Sequence, residues 1–563
     1  MIIGLDVGGT HTDAVLISQK GLAKEVKVPT DESHLFQTVL SGIEAVTEGV
    51  DPASIRRAVL STTLATNLVV QQKLPPVGMI VSGGPGIDPK HYRIGDHYYA
   101  IKGAIDHRGR EIEGLDVSEI TAIADRMKKE DIRYVAVVGK FSVHNPEHEK
   151  RIASILGQNF ERIYLGHQLS GKLNFPRRIA TTYLNAAVYP VHKVFFEAVK
   201  QSLARKGLDL PLRILKPDGG NMSFDASIEY PAQTILSGPS ASVMGALAYA
   251  PKSGATLVLD IGGTTTDMAL LIDGVPLLES MGVEIGPFKT LIRALQTQSI
   301  GVGGDSVVHV DGDRLFIGPE RQGRAMALGG PQPTPTDAFS VLGLVDVGDR
   351  VLAEKGLAPI AQALGVGVEA AAGRIFEQAC RQILDSAEEM IDRINSKPVY
   401  TVHELWEGSL IRPRRMMILG GPAPQFAEKL RTLFDGDVSV VPHWQVANAI
   451  GCALARTTSE VTLFADTSQM VAVAAGEHIS KGISRNFNLE DAGKLALQLL
   501  REKALQRGAS PDHLDMEVID ACQFNMIRGF RTIGKNIRVR AQIKPGLIQG
   551  YDPVAEKLQR EDL

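Results

Sequence analysis

The chain is poor in the residues that would signal a disulfide framework, a metal knot or a nucleic-acid surface. Three cysteines occur in 563 residues, Cys380, Cys452 and Cys522, far apart and with no CxxC pair. That excludes a cysteine-ligated zinc site and a disulfide scaffold, and it suits a reducing compartment. Aromatic residues make up 5% of the chain and charged residues 22%, with a formal net charge of −4. No basic stripe results, so nucleic acid is not an expected partner. No stretch reaches the about 18 unbroken apolar residues of a membrane helix. The first residues run into a strand pattern rather than a basic and apolar leader. A soluble, cytoplasmic protein without a membrane partner is expected. The histidines, His107 and His443 among them, are scattered and form no ligand spacing.

What the chain does have is one phrase written twice. Leu5-Asp6-Val7-Gly8-Gly9-Thr10-His11-Thr12-Asp13 returns as Leu259-Asp260-Ile261-Gly262-Gly263-Thr264-Thr265-Thr266-Asp267. Each copy has an apolar run before it and another after it, which reads as strand, tight turn, strand. A dinucleotide fingerprint differs, because its glycines follow a GxGxxG spacing and open a helix. Paired glycines expose backbone N–H groups without a Cβ in the way, and Thr hydroxyls add donors. Two such hairpins facing one another would grip a polyphosphate through Gly8, Gly9, Thr10 and Thr12 on one side. Gly262, Gly263, Thr264 and Thr265 would serve on the other. Asp6 and Asp260, at strand ends, are the candidates to hold Mg²⁺ through water or to orient the attacking oxygen. Asp13 and Asp267 read as braces of their own turns.

Further along, Met416 to Leu419 is strand-like and breaks at Gly420-Gly421-Pro422-Ala423-Pro424, with an amphipathic helix following over Gln425 to Leu433. Gly420, Gly421 and Ala423 would let a nucleoside approach closely. Ala447 to Ala455 reads as a small-residue helix able to cross between two domains. Three units are expected: 1–180, 181–455 and a small α/β unit over 456–563. Strands are expected over Val69 to Val81, Tyr134 to Val143 and Leu212 to Lys216, and in the last unit over Met516 to Ile519 and Ile537 to Ile543. Helices are expected near Ser33 to Thr47 and over Val117 to Lys129, Thr181 to Gly207, Gly367 to Ile394 and Leu489 to Gln506. The stripe Ile375, Ala379, Ile383, Ala387, Met390 and Ile394 is a core face at helical spacing. Asn145 and Pro146 open another helix, and capping accounts for His144, His148 and Glu149 without a metal.

The doubled hairpin resembles the phosphate motifs of the superfamily that joins sugar kinases, actin and the heat-shock chaperones. That resemblance implies two actin-like ATPase (ribonuclease H-like) α/β domains around a nucleotide cleft. Other phrases are more specific. Ser61-Thr62-Thr63-Leu64-Ala65-Thr66-Asn67 is similar to the STTxATN stretch of the hydantoinase A/5-oxoprolinase family, and Asn145 to Glu149 to its NPxHE segment. Arg178 to Ala186 looks like RxxTTxxNA, Pro217 to Gly220 like SDGG, Leu236 to Ser240 like LSGPA, and Gly329 to Ala338 like GGxPTxTDA. The order matches across roughly residues 1 to 455.

This resemblance implies ATP-dependent opening of a cyclic amide (a hydantoin, 5-oxoproline or another lactam) through phosphorylation of its carbonyl oxygen, with ATP and Mg²⁺ as cofactors. It also implies a possible hydantoinase B-type partner subunit and a homo- or hetero-oligomer. Amide resonance protects an unstrained lactam carbonyl, and phosphorylation on oxygen removes that protection. Thr62, Thr63, Asn67, Asp218, Ser237, Thr336 and Asp337 are then the substrate-side candidates, with a cap or turn role standing beside each. A small-molecule kinase, a subunit of an ATP-dependent ketone carboxylase and a nucleotide-switched regulatory protein are the alternatives. The chain departs from the pattern at His11, where Phe is usual, at Asp305 in Gly301 to Ser306, and at Gly318 to Arg324, where a cysteine-containing segment is usual.

Overall fold

The computed structural model describes residues 1–548, apart from positions 10, 32–33, 206, 209, 313, 397–409, 478 and 512–513. Both copies of the phrase form antiparallel hairpins. Ile2–Val7 pairs with His11–Ser18 so that Asp6 lies opposite Asp13. Ala255–Ile261 pairs with Thr266–Ile272 so that Asp260 lies opposite Asp267. A parallel strand then joins the first strand of each hairpin: Arg57–Thr62, which sets Ser61 beside Asp6, and Arg415–Leu419, which sets Leu419 beside Asp260. All six residues of Ile2–Val7 are buried. A central strand covered on both faces needs a continuous apolar run rather than alternation.

Each hairpin is the middle of a six-stranded sheet. The first sheet adds Gly21–Pro29 on one side and Leu212–Leu215 and Asn221–Ser223 on the other. The second adds Asp437–Val440 beyond Arg415–Leu419, with Val275–Pro276 and Thr297–Ile300 both pairing with Thr266–Ile272. Helices Ser237–Leu247 and Ala447–Leu454 lie between the sheets. One apolar cluster runs through all of them, from Ile2 and Val15 to Val258 and Leu271, by way of Ala449 and Ile450. Glycines make this packing possible. A Cβ on Gly4 would come within 2.0 Å of the Ala449 carbonyl oxygen, one on Gly245 within 2.2 Å of that of Ala447, and one on Gly451 within 2.3 Å of that of Ala241.

Two further sheets flank this centre. Tyr98–Ile101, Val77–Ser82, Tyr134–Gly139 and Arg162–Leu165 form a four-stranded parallel sheet inserted after the first hairpin. Near the end of the chain, five antiparallel strands over residues 460–543 are covered by helix Leu489–Gln506. A cavity of about 650 Å³ opens between these two units, lined by Val143, Leu173, Phe464, Phe524 and Arg540 among others.

Several expectations need correction. The stretch from Val69 is not a strand throughout: Leu64–Val70 is helical, and the strand begins at Val77. Leu212–Leu215 and Asn221–Ser223 lie past the expected boundary at 180 yet belong to the first sheet, because Leu212–Leu215 pairs in parallel with Arg57–Thr62. The helix expected over Thr181 to Gly207 starts earlier, as Phe175–Arg205, with Pro190 inside it. The last two strands are longer, Met516–Arg528 and Arg531–Ile543. The Asn145 carboxamide does accept from the Glu147 amide. Glu149, however, is no capping acid: it is fully buried and accepts from the amides of Gly139 and His167 and from the His167 ring. Among the described residues no single helix is long and apolar enough to cross a membrane.

Candidate active site

The two turns are closed by the same hydrogen bond. Gly8 N–H donates to the His11 carbonyl at 3.1 Å, and Gly262 N–H donates to the Thr265 carbonyl at 2.9 Å. Gly9 and Thr265 are exposed, while Gly8, Gly262, Gly263 and Thr264 are half-buried, so both turns border solvent. Thr10 lies outside the described residues. Thr12 does not join this group. It is fully buried, and its hydroxyl pairs with that of Thr30 at 2.9 Å. Successive strand residues point to opposite faces, so Thr12 and its neighbour Asp13 cannot share one.

The carboxylates at the strand ends meet through one side chain. Asn448 Nδ2, near the start of helix Ala447–Leu454, donates to Asp6 Oδ2 at 3.2 Å and to Asp260 Oδ2 at 3.3 Å. Ser242 of the other crossing helix donates to Asp260 Oδ2 as well. Burial pushes Asp6 up to about 7; the Asp13 and Asp260 charges add to the rise, and Ser61 and Asn448 oppose it. Asp260 is raised for the same first reason, burial, with Ser242 and Asn448 opposing. Asp6 Oδ1 is buried without a hydrogen-bond partner. A buried carboxylate oxygen left open beside a second carboxylate, both next to glycine turns, fits Mg²⁺, which keeps most of its waters and takes one or two carboxylates plus phosphate oxygens. Among the described residues no group of three or more His, Cys, Asp or Glu could cage a metal by itself.

The remaining candidates divide. Thr62, Thr63 and Ser237 come to the Asp6 side. Thr62 N–H donates to Ser237 Oγ at 3.2 Å, Ser237 Oγ donates to the Thr62 carbonyl at 3.0 Å, and Thr63 Oγ1 reaches the Val7 carbonyl at 3.5 Å. Asn67 follows on the short helix Leu64–Val70. Thr336 belongs to the other side, where its hydroxyl donates to the Gly304 carbonyl at 2.7 Å. Gly420 closes against the second hairpin, since a Cβ there would lie 2.2 Å from the Ile261 carbonyl oxygen and 2.5 Å from Asp260 Oδ1. Nothing crowds Gly421. Ala423, by contrast, is fully buried in the core behind the second sheet and lines no cleft.

Asp337 and Asp218 are used elsewhere. Asp337 accepts from the amides of Met326, Ala327 and Thr334 and from the Thr334 hydroxyl, forming a capping box. Asp218 is buried among Lys216 at 3.1 Å, Arg293 at 3.2 Å and the Thr458 hydroxyl at 2.8 Å, and these partners hold its carboxyl low against the cost of burial.

Residues 178–461 match the family described as hydantoinase/oxoprolinase, and residues 2–160 match the hydantoinase/oxoprolinase N-terminal region. The chain belongs to the hydantoinase/oxoprolinase family. Within it, the caprolactamase α subunit of Pseudomonas jessenii is 26% identical over 66% of this chain and 60% of that subunit. The acetophenone carboxylase γ subunit of Aromatoleum aromaticum is 25% identical over 93% of this chain and 77% of that subunit. The crystal structure of the ATP-dependent caprolactamase from Pseudomonas jessenii superposes with a TM-score of 0.71 at 20% identity, covering 97% of this chain and 87% of that one. This member of the family therefore shares a mixed α/β fold with that enzyme. The asparagine and serine that hold the two carboxylates, Asn448 and Ser242, were not singled out from sequence. The signal available was one amide in a helix otherwise built of small apolar residues.

Proposed function

We propose that the chain is an ATP-dependent enzyme that phosphorylates the carbonyl oxygen of a cyclic amide and so opens the ring. The observation that carries this is the pair of matching hairpins whose aspartates share one amide donor, Asn448. The two central sheets are read as duplicated actin-like halves around a nucleotide cleft, with the first half taking in the strands up to residue 223 and the unit over 456–563 proposed as a further domain. The glycine turns would receive the polyphosphate through backbone N–H groups, and Gly420 and Gly421 would border the nucleoside. Asp6 and Asp260 would hold Mg²⁺, which supplies charge neutralisation at the phosphates.

The chemistry then rests on alignment. The amide oxygen attacks the γ-phosphorus, and the bond to the β–γ bridging oxygen breaks as ADP leaves. Water adds to the activated carbon, the ring C–N bond breaks as the amine departs, and hydrolysis of the resulting acyl phosphate at carbon releases phosphate. Positioning and charge stabilisation supply most of the rate in such a transfer. An ¹⁸O-carbonyl lactam that stimulates ADP release should yield labelled phosphate. Unlabelled phosphate from an active substrate would end this reading.

A second reading is a subunit of an ATP-dependent ketone carboxylase. It is favoured by the match to the acetophenone carboxylase subunit, which covers 93% of this chain. Both readings share phosphorylation of a carbonyl oxygen. A screen of lactams, hydantoins and ketones for stimulated ADP release, each with and without a hydantoinase B-type partner, separates them. Both curated relatives are named as subunits, which supports a partner for this chain too.

A further inference from the structure

Loop Gly301 to Ser306 is strapped onto the second glycine turn. Gly304 N–H donates to the Gly262 carbonyl at 3.0 Å and Asp305 N–H to that of Gly263 at 2.6 Å, while the Ser306 hydroxyl reaches the Thr264 carbonyl at 3.2 Å. Gly303 lies so close that a Cβ on it would be 2.5 Å from the Gly262 carbonyl oxygen. This puts a carboxylate on the turn itself, since a Cβ on Gly263 would meet Asp305 Oδ2 at 2.9 Å. The same Oδ2 accepts from Arg321 Nη2 at 3.1 Å.

Arg321 comes from a segment fastened to that loop. Val307 N–H donates to the Glu320 carbonyl at 2.8 Å, Gly318 N–H to that of Val307 at 2.9 Å, and a Cβ on Gly301 would strike Pro319. Arg324, three residues on, is exposed and makes no ion pair among the described residues. Both charges act on His11, the first residue of the second strand of the first hairpin. Burial holds the His11 ring below its ordinary value, and Lys27, Arg324 and Arg321 add to that. The Arg321 guanidinium is thus held by a carboxylate that already occupies the second turn.

We propose that Arg321 is a clasp for the γ-phosphoryl group of a nucleotide held between the hairpins, and that Asp305 is its resting partner. The proposal rests on the nucleotide reading above and goes beyond it. When the γ-phosphate arrives, Arg321 exchanges the carboxylate for it, because a guanidinium matches either oxyanion in the same geometry. A nucleoside diphosphate lacks the γ-phosphate and leaves the Arg321–Asp305 pair closed.

Calorimetric titration with Mg·ADP and with the Mg²⁺ complex of a non-hydrolysable ATP analogue tests this. Losing a charged hydrogen bond should weaken the ATP analogue by about 10- to 100-fold in R321A, with ADP changed less than about threefold. R321K should lie between R321A and wild type, and it carries the test if R321A lowers the melting temperature. D305N should bind the analogue at least as tightly as wild type, and D305N/R321A should match R321A. An unchanged ratio of analogue to ADP affinity in both Arg321 variants overturns the clasp alone. A wild-type protein that binds neither nucleotide overturns the nucleotide reading and the clasp with it.

Discussion

The two hairpins were cut from one pattern and put into different surroundings. Their registers, turn hydrogen bonds and parallel third strands correspond. Around the first, Gly9 is exposed, and Asp13 pairs with Lys27 at 2.8 Å, with Lys27 also tied to the Gln445 carbonyl. Around the second, loop 301–306 covers the turn. Among the described residues no cation pairs with Asp267, which burial and the Asp260 charge push up to about 7. A repeated phrase therefore fixes backbone geometry twice and leaves electrostatics to the neighbours. The first hairpin offers an open backbone cradle, and the second carries the added side chains.

The sharpest way to break this comparison is to remove each strand-end charge in turn. Asp260→Asn and Asp6→Asn should each lower ATP turnover about a hundredfold or more, the scale of losing one key electrostatic contact. Their melting temperatures should stay close to wild type. A variant that turns over ATP at the wild-type rate would make its aspartate a structural residue and the two hairpins unequal in function.

Next in size come the glycines. Gly303→Ala drives a methyl group against the backbone of the second turn and should cost about 1–3 kcal/mol, the usual range for overpacking. Nucleotide affinity should fall with it. Gly8→Ala meets only the His11 carbonyl oxygen, at 3.0 Å, and should cost less. Chemical denaturation and nucleotide titration of both variants measure the contrast, and equal losses would mean that the brace around the second turn is incidental.

The smallest effect concerns the partner aspartates. A carboxyl raised to about 7 in the fold contributes stability that is fully present below its ordinary value of 3.8 and is lost as pH rises through 7. Asp267→Asn removes that loss, so its melting temperature relative to wild type should climb between those two values and level off above. Asp13 is raised too, by burial, with Lys27 opposing, so Asp13→Asn gives up the Lys27 pair and should show a smaller gain in the same direction. Since Lys27 is 38% exposed, Lys27→Met should cost only about 0–1 kcal/mol. Parallel pH profiles for Asp267→Asn and wild type would remove the electrostatic difference between the hairpins.

Much of this architecture was legible in the sequence because it follows from local pattern. The register that puts Asp6 opposite Asp13 and Asp260 opposite Asp267 comes from apolar runs joined by a Gly-Gly turn. The Ile375 to Met390 stripe is buried where a period of 3.6 puts it. The misassignments came from reading a motif without its faces. Thr12 lies within the phrase but on the face away from Asp13, and Ala423 follows the glycines but turns into the core. For Asp337 the cap role that stood beside the substrate role is the one observed, as Thr334 with an acid three residues later suggests. Asn448, Ser242 and the brace around Gly263 depend on contacts between distant segments, and no periodicity encodes those. The edge strands at 212–223 return to the first sheet for the same reason.

Gly4, Gly245 and Gly451 meet their neighbours backbone to backbone. The spacing of the first sheet and the two crossing helices is therefore set by the radii of carbonyl oxygens and α-carbons, which no change of rotamer can alter. Asn448 projects from that same joint, so the separation of the two carboxylates is inherited from it. The tolerance of the carboxylate spacing is then a machining tolerance, held by three positions where a methyl group is missing. A substitution at any of them would act as a shim, moving both aspartates apart without touching either.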